Sequence, residues 1–404
     1  MSSRIAVREI ARLTPADAAA VCVAGRVVAL DPDGFILQDD TGCVQVRSAQ
    51  NPPPPIGAFV QLVARSEGAL LTQVGSLTTL TRGVERFMRA DSDWNWLSGT
   101  RLNNLRVRHQ LKRAVQRYFD SAGLLEVETP AIVPCPGLDV HLDAIEVLGM
   151  RGPRWLHTSP EYQMKRLLTT SVPGIFQLGK AFRRGERGKL HEPEFSMLEW
   201  YRCFANADAV MHDTEQLVAQ VAQELTGSLV LPGLQGSVDV TPPWDRLSVA
   251  EAFERYADVK LEDVLSDEEA YFETLADQIE PKLGRGRAVF LTEYPAPMAS
   301  LAKLSDKNPR VAERFEAYLD GVELCNGFSE LTDPREQRAR LVRDQELRDK
   351  LGRSVYPLDE RFLAALEDGI PPSGGNALGF DRLLMLLLGA KHIEDVVAIP
   401  SGRV

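Results

Sequence analysis

The chain has 404 residues, a formal net charge of −11 and a hydrophobic share of 44%, enough to bury one large core and a smaller one. It shows no apolar run of membrane-spanning length and no signal-peptide pattern, so a cytoplasmic location without a membrane partner is expected. Its acidity removes general steering toward a polyanion, and five scattered cysteines (Cys22, Cys43, Cys135, Cys203, Cys325) have neither disulfide-framework nor zinc-site spacing. Residues 1–80 read as a small all-β module: short runs such as VCVAGRVVAL, GFILQDD and FVQLVARS are broken by DPDG, DDTG and NPPPP. Residues 81–103 read as a polar linker carrying Trp94 and Trp96, and a second domain is expected over 104–404.

From Asn104 to Gly123 the spacing predicts a helix, with Leu111, Val115 and Phe119 four apart, followed by the alternating LLEVETP. The segment FRRGERGKLHEPEFSMLEWYR, from Phe182 to Arg202, predicts an antiparallel hairpin with a long polar loop. Alternation along its second strand puts Phe195, Met197, Glu199 and Tyr201 on one face, an aromatic plate followed by a carboxylate and a phenol. Arg183 beside that face is suited to fork two N–H groups onto a phosphate, with Arg187 and His191 in reach of others. Residues 205–286 read as helical packing without chemistry.

In RFEAYLDGVELCNGFSELTD, a two-residue turn at Asp320-Gly321 pairs Tyr318 with Glu323 and makes Glu316 and Glu323 diagonal neighbours. Two carboxylates so close need a cation or a surface position. Glu323, Asn326, Phe328 and Glu330 share a face only if the strand holds a bulge, for which Gly327 is the natural place. Asn326 and Glu330 then join Glu161, Glu199 and Tyr201 around one pocket. Three carboxylates with few compensating cations call for a substrate with two ammonium groups, and lysine or an isomer of it fits.

Three segments in order resemble the motifs of class II aminoacyl-tRNA synthetases, and HEPEFSMLEWY is especially similar to the lysyl branch. They are the helix and LLEVETP after Asn104, the hairpin around Arg183, and GGNALGFDRLLMLLLG. The resemblance implies an α+β fold: an antiparallel sheet flanked by helices, preceded by a small OB-like barrel, in a homodimer. It implies ATP and Mg²⁺ as cofactors. Arg183 is then at the α-phosphate, Glu316 and Glu323 hold Mg²⁺, Phe195 and Arg382 enclose adenine, and His191 faces the phosphates. In the amino-acid pocket Glu161 takes the amine near the carboxylate, Glu199, Tyr201 and Glu330 take the distal ammonium, and Arg183 and Asn326 take the carboxylate. The sequence departs from the pattern at Gly185, where a glutamate is usual and Glu186 follows instead. In the N-terminal module Gly34 stands where a base-stacking aromatic is expected.

GLDVHLDAIEV, TSPEYQMKRLL and RVAERFEAYLDGVELCNGFSELTD are similar to the lysyl-synthetase-related ligases that attach (R)-β-lysine to a lysine side chain of elongation factor P. Ser159 and Ala377 stand where lysyl-tRNA synthetases usually have alanine and glycine. The alternative acceptor is tRNA-Lys, which the N-terminal module favours. A non-catalytic ATP- and lysine-binding relative would have no need of Glu316 and Glu323 together.

Overall fold

Period-2 burial runs through the strands of the N-terminal unit, as two-faced strands require. The computed structural model describes residues 7, 8, 10, 13, 20–67, 70–83, 88, 89 and 91–404. Its contacts fall into two units, 1–103 and 104–404. In the first, β1 (Val21–Asp31), β2 (Gly34–Gln38), β3 (Cys43–Arg47), β4 (Phe59–Ser66) and β5 (Leu70–Thr79) pair in the order β1-β2-β3-β5-β4, and β1 also pairs with β4. That second pairing closes a five-stranded barrel around Val23, Phe35, Leu37, Val46 and Leu62. Phe35 is fully buried, and a Cβ at Gly34 would collide with the Val46 carbonyl, so this register leaves no room for a stacking ring there. The segment expected to be a plain linker contains a short helix, Asp93–Leu97, capped by Ser92.

In the second unit, α1 (Thr100–Ser121) is longer at its start than its spacing suggests and stops before Gly123, whose φ is +74°. Leu111, Val115 and Phe119 are buried inside the unit, with Phe119 stacked on Phe176 at 4.7 Å. The apolar stripe of this helix is thus spent on the chain's own core, which leaves these three side chains none of it to offer a second subunit. After β6 (Leu125–Glu126) and the short α2 (Glu161–Leu167) come β7 (Gly174–Phe182) and β8 (Glu194–Cys203), then α3 (Ala207–Thr226). The remaining elements used below are β9 (Asp245–Ser248), β10 (Val289–Pro295), β11 (Val311–Leu319), β12 (Val322–Ser329), α4 (Pro334–Lys350), β13 (Ser373–Gly379) and α5 (Phe380–Leu388). Segment 205–286 is therefore not wholly helical, since β9 lies in it.

The sheet runs β9-β10-β11-β12-β13-β8-β7-β6, antiparallel except for the parallel pairs at its two ends. Leu198 and Trp200 of β8, Phe315 and Ala317 of β11 and Leu378 of β13 face a core shared with α1, α3 and α5. The opposite face is open to the site.

Asp320 and Gly321 have φ of +54° and +74°, the backbone of a type I′ hairpin turn. Leu319 pairs with Val322 and Tyr318 with Glu323, after which the register shifts and Ala317 pairs with Cys325. The extra residue is thus Leu324, not Gly327 as the sequence suggested. Gly327 sits in regular register opposite Phe315, and its hydrogen is required there because a Cβ would meet the Gly375 carbonyl oxygen at 2.7 Å.

Candidate active site

Register places the site residues in rows across the sheet. Glu199 pairs with Ala377, Ala377 with Asn326, and Asn326 with Glu316, so these four form one row over β8, β13, β12 and β11. The next row is Tyr201, Gly375, Phe328 and Arg314. The Leu324 bulge restores Glu323 to the same face as Asn326 and Phe328.

Two cavities lie on this face. The larger, of 620 Å³, is lined by Arg183, Glu186, His191, Phe195, Glu316, Glu323 and Arg382 among others. The smaller, of 170 Å³, is lined by Ser159, Glu161, Glu199, Tyr201, Phe328 and Glu330. Arg183, Met197, Asn326, Asp344 and Ala377 are among the residues that line both, so the cavities share a wall.

In the larger cavity the Arg183 guanidinium lies over the Phe195 ring, 5.0 Å from its centroid, and is 3.7 Å from Glu186. The Glu186 side chain therefore reaches the arginine despite the shifted position in the loop. Arg382, on the first turn of α5, donates to the Glu323 carbonyl at 2.8 Å, to the Glu323 carboxylate at 3.2 Å and to His191 Nε2 at 2.8 Å. Burial and the Arg382 charge hold His191 below its ordinary pKa, which keeps the ring neutral and able to accept that bond. Arg187 pairs with Glu394 at 3.8 Å and does not line the cavity.

Around Tyr318 stand three carboxylates. The phenol donates to Glu316 at 2.7 Å, its oxygen lies 3.1 Å from Glu280, and Glu323 is its cross-strand neighbour. Glu316 also accepts from Arg314 at 2.7 Å and from the Asn326 amide at 3.2 Å. Burial, and then the charges of Glu316 and Glu323, push Glu280 up to about 7. Against burial, Arg382 and Arg183 hold Glu323 below its ordinary value. Carboxylate oxygens are the ligands a hard cation takes, but Arg314 already pairs with Glu316 and Arg382 with Glu323, and among the described residues no three carboxylate, thiolate or imidazole groups are gathered as a ready metal site.

In the smaller cavity Glu199 accepts from Tyr201 at 2.5 Å and from Ser159 at 3.0 Å. Burial and the Glu161 charge nevertheless raise it to about 8. The Ser159 hydroxyl oxygen also accepts the Glu161 backbone N–H at 3.1 Å, fixing the start of α2. Gly375 is the floor: a Cβ there would press on Glu330 and at 2.5 Å on the Tyr201 ring.

One expectation is corrected here. The three carboxylates do have a buried cation, because Lys165 reaches Glu161 Oε1 at 2.6 Å and is also ion-paired with Glu330. The TSPEYQMKR segment carried the signal, since Glu161 and Lys165 are four apart and share a helix face. Arg314 was also legible in principle, two residues before Glu316 on the same strand face. Glu280 was not: it arrives from a 3₁₀ turn, Glu280–Lys282, with no pattern linking it to the strand. Asp344 on α4 joins the shared wall, and burial, partly offset by Arg343, raises it to about 6.

Comparison with known proteins gives one family. Residues 91–403 match the family described as tRNA synthetases class II (D, K and N). The chain is similar to the elongation factor P–(R)-β-lysine ligase of Proteus mirabilis, 39% identical over 337 residues covering 76% of this chain and 98% of that protein. The ligase of the same name from Histophilus somni is 39% identical over 315 residues, covering 75% and 96%. That of Yersinia enterocolitica is 38% identical over 321 residues, covering 76% and 98%. The family match begins beyond the last barrel strand, β5.

Proposed function

The chain belongs to the class II tRNA synthetase family of the D, K and N type, and from that premise we propose that it activates lysine or (R)-β-lysine with ATP and transfers it to a lysine side chain of elongation factor P. The observation that carries this reading is the shared wall: a phosphate-suited cavity and a carboxylate-lined cavity meet at Arg183 and Asn326.

In the first half-reaction a substrate carboxylate oxygen attacks the α-phosphorus of ATP, the bond to the bridging oxygen breaks, and pyrophosphate leaves. Arg183 sits where it can hold both the attacking carboxylate and the α-phosphate, which brings the reacting atoms together and offsets charge as it develops. Arg382, backed by Glu323 and a neutral His191, neutralises the far end of the nucleotide, and Phe195 offers a face to the base. Glu316 and Glu323, with Glu280 beside them, would hold Mg²⁺, which supplies charge neutralisation on the phosphates. In the second half-reaction a neutral acceptor amine attacks the adenylate carbonyl, AMP leaves, and the amine gives up one proton.

In the smaller cavity Glu161 takes the amine near the carboxylate, while Glu199, Tyr201 and Glu330 take the distal ammonium. The Ala377 methyl projects between Glu199 and Asn326, which leaves less room for an α-amine than for one placed a carbon further out. That crowding and the similarity to the named ligases favour (R)-β-lysine and elongation factor P. The N-terminal barrel favours tRNA-Lys as acceptor, but its Phe35 is turned inward. We read the molecule as a cytoplasmic homodimer joined where Leu125, Ile132, Leu148 and Met150 are exposed, Leu148 to 83%. No helix among the described residues is long and apolar enough to cross a membrane.

The test supplies purified protein and ATP with α-lysine or (R)-β-lysine, and elongation factor P or tRNA-Lys. A mass gain on elongation factor P with (R)-β-lysine supports the reading, and a gain confined to tRNA-Lys with α-lysine replaces it.

A further inference from the structure

Lys165 is the cation that the substrate pocket keeps for itself. It projects from α2 with its side chain 2% exposed, and the groups facing it come from three elements. Glu161 is one turn back on its own helix, Glu330 follows β12, and the Phe328 and Phe362 rings lie 5.1 and 5.9 Å from its ammonium. Lys165 does not line the pocket; it sits behind two carboxylates that do. Burial alone would lower its pKa, but Glu161 and Glu330 outweigh burial and hold it above the ordinary lysine value, so it is charged.

Glu161, Glu199 and Glu330 carry three negative charges when ionised, and Lys165 carries one positive. We propose that Lys165 is a specificity-determining positioning residue, an ammonium of the chain itself that fixes Glu161 and Glu330 and leaves the pocket the charge of −2 that two substrate ammonium groups cancel. The inference deepens the functional reading above and rests on it. An amino acid with one ammonium leaves a buried carboxylate uncompensated. Without Lys165, a diamine does the same. The selectivity for two amines thus depends on a residue that touches neither of them.

The experiment uses the full chain in amino-acid-dependent pyrophosphate exchange with whichever lysine isomer the wild type activates. Lys165→Met, which keeps length without charge, should lower kcat/KM for that isomer at least about thirtyfold, chiefly through KM, with KM for ATP little changed. Lys165→Ala should lose at least as much, and added propylammonium should restore about tenfold or more in a saturable way, while 1-propanol, of similar size and uncharged, should not. Equal recovery with both additives would assign the residue to packing. Wild-type kcat/KM in Lys165→Met, or no recovery by propylammonium in a Lys165→Ala protein with an unchanged melting temperature, would also overturn the proposal. If the wild type exchanges with neither isomer, the functional reading fails and the inference falls with it, an outcome distinct from a wild type that is active and a variant that behaves as wild type.

Discussion

Tyr201 donates its phenolic hydrogen to Glu199 Oε1 across 2.5 Å, from two residues further along the same face of β8. The bond favours an ionised Glu199, yet burial and Glu161 win and the carboxyl is raised to about 8. At pH 6 the empty pocket therefore holds it as the acid. An ammonium needs the carboxylate, so binding must release that proton. KM for the lysine isomer should fall as pH rises from about 6 to 8, by up to about tenfold per unit for one linked proton. Burial, against the pull of Lys165, raises Glu330 to about 8 as well, so Glu199→Gln should weaken that dependence without abolishing it, at a higher KM. Pyrophosphate exchange across the pH range, with KM for ATP as the control, is the measurement.

Glu316 and Glu323 are the pair assigned to Mg²⁺. Glu316→Gln and Glu323→Gln should each lower adenylate formation about 10- to 100-fold and raise the Mg²⁺ concentration at half-maximal rate. Lysine binding measured by calorimetry should change far less. Unaltered Mg²⁺ dependence in both variants would move the cation elsewhere.

Ala377 lies in register between Glu199 and Asn326, so its methyl is at the centre of the substrate row. One methylene-sized mismatch is worth about 1–3 kcal/mol, roughly ten- to two-hundred-fold in discrimination. Ala377→Gly should shift the ratio of kcat/KM for α-lysine over (R)-β-lysine upward by a factor in that range. A wild type that already prefers α-lysine, with a ratio that does not move, would favour the tRNA-Lys reading.

Phe195 offers its ring to the larger cavity beneath Arg183. Base–aromatic stacking is worth about 1–3 kcal/mol, so Phe195→Ala should raise KM for ATP roughly five- to hundredfold. KM for the amino acid should stay within about twofold, because the smaller cavity does not include this side chain. Equal effects on both substrates would mean that the ring supports the sheet and not the base.

Every described residue that lines the two cavities belongs to the unit 104–404. Removing residues 1–90, which precede the family match, should leave lysine-dependent pyrophosphate exchange close to the full-length rate while exposing any role in acceptor transfer. Loss of exchange in a truncated protein that still melts cooperatively would contradict this.

Much of this arrangement was legible because strands have a period of two and hairpin turns fix register. The odd-numbered face of β8 and the pairing of Tyr318 with Glu323 follow from alternation and from Asp320-Gly321 alone. The position of the bulge did not follow, because Gly327 was read as a conformational exception when its need is steric: Phe315 and the Gly375 carbonyl leave space only for hydrogen. The stripe on α1 was correctly apolar but its partner was unknowable from spacing, since a helix face does not declare whether it meets its own chain or another copy. Lys165 was visible at four residues from Glu161, but only burial turns that pair from an ordinary surface bridge into part of the pocket's charge. Glu280 meets Tyr318 from 38 residues away in the chain, and no local pattern announces such a contact.

The row from Glu199 through Ala377 and Asn326 to Glu316 is spaced by main-chain hydrogen bonds between neighbouring strands. Three such steps are about 14 Å at the backbone, whatever the side chains are. The sheet is therefore a ruler with fixed graduations, one end set at the smaller cavity and the other at the larger. Changing a side chain on it re-marks a single graduation and leaves the others where they were. A fold spaced this way can change the shape of the smaller cavity without rebuilding the larger one.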